Sequence, residues 1–490
     1  MRFFCRNVIL FLNFIRKHPK DSISEMRKRF KSNSEGKDYI KKFEEMLKSG
    51  DSLFFDLDTY SYIINHFIEK GKLKKALKAC DMAMVQYPFS TELLLDKAYI
   101  FIRKQNFEEA EEMIDKAELF QPNDIDVIFL KGNLLSQTGD FEAALEYLND
   151  KLDLIEEKDE IYYAIGMAYQ DWGKFDEAIV FYKKAIDFDL NNEDALYELA
   201  YCMDIVGHME QSIAYYQKFI DNDPYSYHAW YNMGIVYFKL GNIEEAISCY
   251  EYATAINDDF SSAWFNMGNC FMNQGDFDKA IECYQKTLAS EDPQAETYCN
   301  IAVCYEKKQL YSKAIEFYRK ASKLDPFYDE AYYGIGKCLN LQDKSYEAVH
   351  FLKKAIKIDD QNFDYWLEKA EAEYKTGNMI SCMEAYEEAC LLNPSSNEIW
   401  LNWSFVHFEQ GDYDKAVSLI KAGIEELPED AELYYRASAY LINEGNYKEA
   451  FIYLENGLIL DFEKHTVLFE FFPNLETQKA LYKIIDQYRK

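Results

Sequence analysis

The chain is poor in residues that interrupt regular structure. Its 490 residues include nine prolines and 19 glycines, too few for a Pro- or Gly-rich linker. Histidine is also scarce: seven are scattered from His18 to His465, with no HExxH pair, so a zinc-protease helix is not encoded. The 11 cysteines form no CxxC pair, which argues against a zinc ribbon or a secretory disulfide framework and for a reducing compartment. No metal and no cofactor are expected.

Long apolar runs are missing too. The best candidate, Val8-Ile9-Leu10-Phe11-Leu12, falls well short of the roughly 20 residues that span a bilayer. It follows Arg2 and Arg6, as in the first two regions of a signal peptide. Arg16, Lys17, His18, Pro19 and Lys20 then stand where a small-residue cleavage site should be. The expectation is that residues 1–25 are an extension ahead of a true start at Met26. The protein is then cytoplasmic, without membrane attachment.

Basic residues are outnumbered, 54 to 86. The first fifty residues hold 13 basic and 6 acidic side chains; the rest hold 41 and 80, a net of −39. A body of that charge repels phosphate backbones, so nucleic acid is not expected as a ligand, whereas a basic protein segment is favoured.

What the chain has is a period. A turn residue followed five positions later by a small one recurs every 34 residues, twelve times, from Gly71/Ala76 through Gly241/Ala246 to Gly445/Ala450. Such a period predicts stacked helical hairpins, each burying its apolar side on its neighbours. With the frame begun at Leu57, the twelve repeats cover 57–464. In repeat six, His228 to Tyr237 is the first helix, Gly241-Asn242 the turn, and Ile243 to Ile256 the second helix, with Ile243, Ala246, Ile247, Tyr250 and Ala253 on one face. The eighth position is small in eleven copies, among them Gly132, Gly166, Ala200, Gly234, Gly268 and Gly336. A mid-helix Gly costs roughly 1 kcal/mol against Ala, so the register implies a close approach between the helices of each hairpin. Large residues such as Tyr182, Tyr216, Tyr250, Tyr284 and Tyr318 supply the bulk. Residues 1–37 form a basic extension, 38–56 an N-terminal capping helix, and 465–490 a C-terminal capping helix.

The segments Ala229-Trp230-Tyr231-Asn232-Met233-Gly234, Ala263-Trp264-Phe265-Asn266-Met267-Gly268 and Gly275-Asp276-Phe277-Asp278-Lys279-Ala280 resemble the tetratricopeptide repeat (TPR) family, over about four-fifths of the chain. The fold class expected is all-α: a right-handed α-solenoid of twelve tandem helix-turn-helix repeats, its concave groove lined by the first helices. Gln309 and Asp343 depart from the turn Gly. Lys151 and Phe219 replace a small residue of the second helix, so repeats three and five are expected to pack less regularly.

Three sets of residues are candidates for binding. The sixth position carries Asn232, Asn266 and Asn300 consecutively and Asn402 later. Asn donates and accepts at once, matching a peptide backbone amide. The row is similar to the asparagine ladder of the TPR region in O-linked N-acetylglucosamine transferases. The fifth position carries Tyr197, Tyr231 and Phe265, rings that suit an interface and equally suit packing within the hairpin. The second position is acidic in ten copies, including Asp194, Glu296 and Glu330. The helix dipole accounts for a first-turn carboxylate at roughly 0.3–1 kcal/mol, yet the row also makes an acidic rim. Clamping of an acidic C-terminal tail is not expected, because groove positive charge comes from Lys337 and Arg436 alone.

No convergent catalytic set is present: Gly334-Ile335-Gly336 lies mid-helix rather than in a phosphate loop, and neither flank is long enough for a catalytic domain. The chain is therefore expected to be a non-enzymatic scaffold or adaptor that holds an extended peptide segment. Two other readings stand beside it. One is a structural subunit of a membrane-associated assembly anchored by the N-terminal apolar segment; the other is a regulatory TPR part of a transferase system.

Overall fold

The computed structural model describes residues 34–49, 53–290, 293–473 and 479–488. The proposed Met26 start, the apolar stretch and most of the basic extension lie outside them. The described residues form no strand, and from Leu57–Glu69 to Tyr447–Leu460 the helices follow one another as hairpins, two per 34-residue period. The fold is the all-α array of TPR hairpins that the period implies. The helices gather into two compact units, Met1–Asp258 and Asp259–Lys490.

In the hairpins with Gly at the eighth position, one contact sets the approach of the helices. A Cβ on Gly166 would lie 2.6 Å from the Tyr182 ring, and one on Gly234 the same distance from the Tyr250 ring. In the second unit, Gly268 meets Tyr284 at 2.7 Å and Gly336 meets Leu352 at 2.6 Å. Real side chains do not approach so closely, so these helices touch only because one of them has no side chain there. The tyrosine hydroxyls then need acceptors, because a buried unpaired hydroxyl is costly. Tyr182 donates to Gln170 at 2.7 Å, Tyr284 to Asn269 at 2.6 Å and Tyr318 to Glu306 at 2.8 Å.

The fourth position is bound back to the loop before its helix. Trp230 Nε1 donates to the carbonyl of Pro224 at 3.0 Å, Trp366 to that of Asp360 at 3.0 Å and Trp400 to that of Pro394 at 2.8 Å. Helix starts are capped as their sequences imply: Asp56, Ser90, Asp124 and Ser226 each accept a backbone N–H of the first turn.

The turn substitutions leave the turn intact. Gln105, Gln309 and Asp343 adopt φ of 61°, 60° and 59°, the left-handed value that Gly takes in the other copies. The strain of roughly 1–2 kcal/mol in a non-Gly residue is opposed by its smaller loss of chain entropy on folding. Repeats three and five are irregular, as Lys151 and Phe219 suggested. The second helix of repeat three stops at Lys151 after 11 residues, and the Lys151 ammonium reaches the Pro122 carbonyl at 3.0 Å and Glu118 at 3.3 Å. The second helix of repeat five opens as a 3-10 turn, Met209–Gln211, before Ser212–Asn222, with Phe219 buried.

The ends are covered. In the first unit, the helix Ser34–Ser49 buries Phe43 against Phe67, their rings 5.9 Å apart. It begins four residues ahead of Asp38. In the second, Leu481 and Ile485 of the helix Lys479–Gln487 join a core with Leu454, Leu458 and Leu468.

Adding one methyl group at Gly234 tests the hairpin contact. Overpacking costs about 1–3 kcal/mol, and the gain in helix propensity returns roughly 1 kcal/mol. Tyr250 is almost wholly buried and cannot swing away. Gly234→Ala is therefore expected to lower the unfolding free energy by up to about 2 kcal/mol, and its urea midpoint with it, while the exposed Ser248→Ala stays within about 0.5 kcal/mol. Equal midpoints for the two variants would contradict the contact.

Candidate functional site

With the fourth position tied to its loop and the eighth pressed on the second helix, the fifth, sixth and ninth positions remain on another side of each first helix. At the fifth position, the chain divides. Phe129, Tyr163 and Tyr435 are buried, with Tyr163 packed 5.7 Å from the Tyr182 ring; these are hairpin core. Tyr197, Tyr231 and Phe265 are half-buried, although Tyr231 and Phe265 also lean on Tyr250 and Tyr284 at 5.8 and 5.6 Å.

At the sixth position, Asn232, Asn266, Asn300 and Asn402 are half-buried. The side-chain amides of Asn232, Asn300 and Asn402 make no hydrogen bond among the described residues, whereas Asn266 is engaged within the protein. The same position holds Gly334 in repeat nine, where a Cβ would fall 2.2 Å from the Tyr318 ring of the preceding repeat. The sixth position thus borders the large residue of the repeat before it, a neighbour that the spacing of 16 residues does not reveal.

Asn232 and Tyr197 come together. They line one hollow of about 40 Å³ in the first unit, between the helices Glu193–Ile205 and Tyr227–Lys239. Ala200, Tyr201, Asp204, Met209, Tyr216, Ile235, Val236 and Lys239 complete the lining. Asp204 and Lys239 join across it at 2.6 Å. Tyr231 and Asp194 belong to the same two helices, while Phe265, Asn266, Asn300, Asn402, Glu296 and Glu330 belong to the second unit. The hollow itself leaves no mark in the period. Met209 reaches it from the irregular start of the second helix of repeat five, whose packing no period specifies.

The rim residues Glu296 and Glu330 are exposed and Asp194 is half-buried. A denser acidic group lies in the second unit, where Glu368 accepts from Asn340 at 2.8 Å. Burial, and then the charges of Glu368 and Glu398, push the Glu371 carboxyl up to about 7. Positive charge on this face is already used: Lys337 meets Glu306 at 2.9 Å and Arg436 meets Glu470 at 3.4 Å. Among the described residues, no group of three or more His, Cys, Asp or Glu side chains could hold a metal ion, and no helix is long and apolar enough to cross a membrane.

These features define an all-α protein of repeated helical hairpins. Eight segments match models of the tetratricopeptide repeat: residues 125–157, 160–192, 227–260, 261–289, 295–328, 329–362, 363–396 and 404–459. They cover more than half of the chain, which belongs to the tetratricopeptide repeat family, a family of protein-interaction scaffolds. No curated protein sequence matches it. Among solved structures, the chain is similar to YrrB, described as a TPR protein with an unusual peptide-binding site (16% identity, 38% of this chain and 95% of that one, TM-score 0.34). It is also similar to MamA (31% identity, 34% and 92%, TM-score 0.32) and to a chain of the APC/C hetero-tetramer Cut9–Hcn1 (13% identity, 81% and 96%, TM-score 0.37).

The Glu371 carboxyl gives a pH test. Its folded pKa lies above the ordinary 4.5, so the protonated form is the one that folding favours. Its contribution is complete below about pH 4.5 and is lost as pH rises through about 7. Glu371→Gln, which cannot ionise, is expected to melt higher than the parent at pH 8 and equally at pH 4. A difference that is the same at both pH values would contradict this environment.

Proposed function

We propose that the chain is a non-enzymatic adaptor that holds an extended segment of a partner protein against its first helices. The observation that carries this reading is the side-chain amide of Asn232: half-buried, without a partner among the described residues, and beside a hollow it shares with Tyr197. Part of that side chain stays open to solvent, where its amide can donate to and accept from an extended backbone at once. Asn300 and Asn402, half-buried and without a hydrogen bond among the described residues, stand at the same position in the second unit, as does Asn266. Tyr197, Tyr231 and Phe265 add ring area with few rotatable bonds.

Acidity sets the choice of partner. The second-position carboxylates Asp194, Glu296 and Glu330, with a body of net −39, favour a basic segment and disfavour nucleic acid. In this reading the protein works in the cytoplasm, in keeping with its free cysteines.

The test is affinity capture from native lysate with the parent chain and with Asn232, Asn266 and Asn300 all changed to Ala. At about 0.5–1.5 kcal/mol per lost hydrogen bond, the triple variant is expected to lose specific prey at least tenfold. Identical prey for both chains would remove the amide row from the account. Capture is also expected to weaken steadily as salt is added, because exposed charges are screened; salt-independent capture would remove the acidic rim.

A further inference from the structure

Apolar side chains stand exposed where repeat one passes into repeat two. Phe54 is 75% exposed, Val85 84%, Phe89 79%, Leu119 81% and Phe120 51%. The Phe89 and Phe120 rings are 6.2 Å apart, and Phe54 lies 6.2 Å from the ring of Tyr87. All five belong to the first unit.

Hairpin packing does not call for them. Val85 and Leu119 share one position of the period, at the ends of the second helices Leu73–Gln86 and Phe107–Phe120. In repeats three to five the same position holds the exposed Asp153, Asp187 and Asp221. The position faces solvent, and the fold accepts a carboxylate there. Valine and leucine in the first two copies therefore mark a bounded apolar patch rather than a demand of the core.

Area and charge together decide what covers it. Three rings of 150–250 Å² each, with Val85 and Leu119, expose on the order of 600 Å². That is at the upper end of what a monomer leaves open. Matched against an equal patch, it buries roughly 1,200 Å², where stable specific interfaces begin. The charge on its two sides is opposite. Residues 57–90 hold five Lys and three Asp or Glu, a net of +2; residues 91–124 hold four Lys or Arg and nine Asp or Glu, a net of −5. A partner with an apolar strip between a basic and an acidic segment complements this edge, and a second copy of the chain supplies one.

We infer that this edge pairs with the same edge of a second copy, about a two-fold axis between repeats one and two. In such an interface each patch meets itself reversed. Phe54, Val85 and Phe89 of one copy cover Leu119 and Phe120 of the other, and each basic repeat one lies over an acidic repeat two. The pairing leaves Asn232 and the later first helices clear, and it stands independently of the peptide-holding reading.

The test is sedimentation equilibrium of the full-length chain over a dilution series, with Phe89→Glu, Leu119→Glu and Leu391→Glu beside the parent. Leu391 is exposed at the same position of repeat ten, so it controls for added negative charge. All three sites face solvent, and circular dichroism checks that the helices remain. The parent is expected at twice its mass of 57.8 kDa. Phe89→Glu and Leu119→Glu are expected to dissociate at least about tenfold more readily, and Leu391→Glu to match the parent. A dimer that neither patch variant weakens would overturn the inference, as would one that Leu391→Glu weakens equally. A monomeric parent would overturn it too. If that monomer dimerised once residues 1–33 were removed, the patch would belong to the chain's own first residues; if it did not, the patch would belong to a different partner.

Discussion

The contact between a residue without a side chain at the eighth position and a large one sixteen residues later governs this molecule. Gly166 on Tyr182, Gly234 on Tyr250 and Gly268 on Tyr284 bring two helices together at a distance that any side chain would forbid. One side of each first helix is consumed by that contact. The aromatic at the fourth position is consumed by a hydrogen bond to the preceding loop, as at Trp230 and Trp400. The fifth, sixth and ninth positions lie on the side that remains, and it recurs because the packing recurs.

Function follows from what that face carries. At Asn232, Asn300 and Asn402 it carries amides with no hydrogen bond among the described residues. At Glu306, Glu368 and Glu371 it carries carboxylates, and burial with like charge around Glu371 pushes its carboxyl up to about 7. Both are groups whose environment improves when a backbone or a cation arrives. Lys337 and Arg436 are already paired, so the same face has little to offer an anion. The proposed preference for a basic segment rests on this charge.

Much of this was legible in the chain, for a physical reason. Every hairpin must satisfy the same close approach, so small and large residues recur in one register and identify the helices, the turns and the TPR family. The short second helix of repeat three was legible too, where Lys151 broke the register. Other features depend on neighbours that the period hides. Gly334 looks like one more small residue, yet it is small because Tyr318 of the preceding repeat lies on it. The fifth position reads as one aromatic row, yet Tyr163 is core and Tyr197 is half-buried. The division between Asp258 and Asp259 leaves no trace, because the period runs through it unbroken. The hollow beside Asn232 needed Met209, brought there by a 3-10 turn that Gln and Met at a helix start do not announce.

The central claim is that partners lie along the first helices and not along the second. Photo-crosslinking reads this directly. A benzophenone amino acid placed at residue 232, on the first helix of repeat six, is compared with one at residue 248, on the exposed side of the second. The account predicts crosslinks to bound partner from 232 and none from 248. Crosslinks from 248 with none from 232 would place the partner on the opposite side and contradict it.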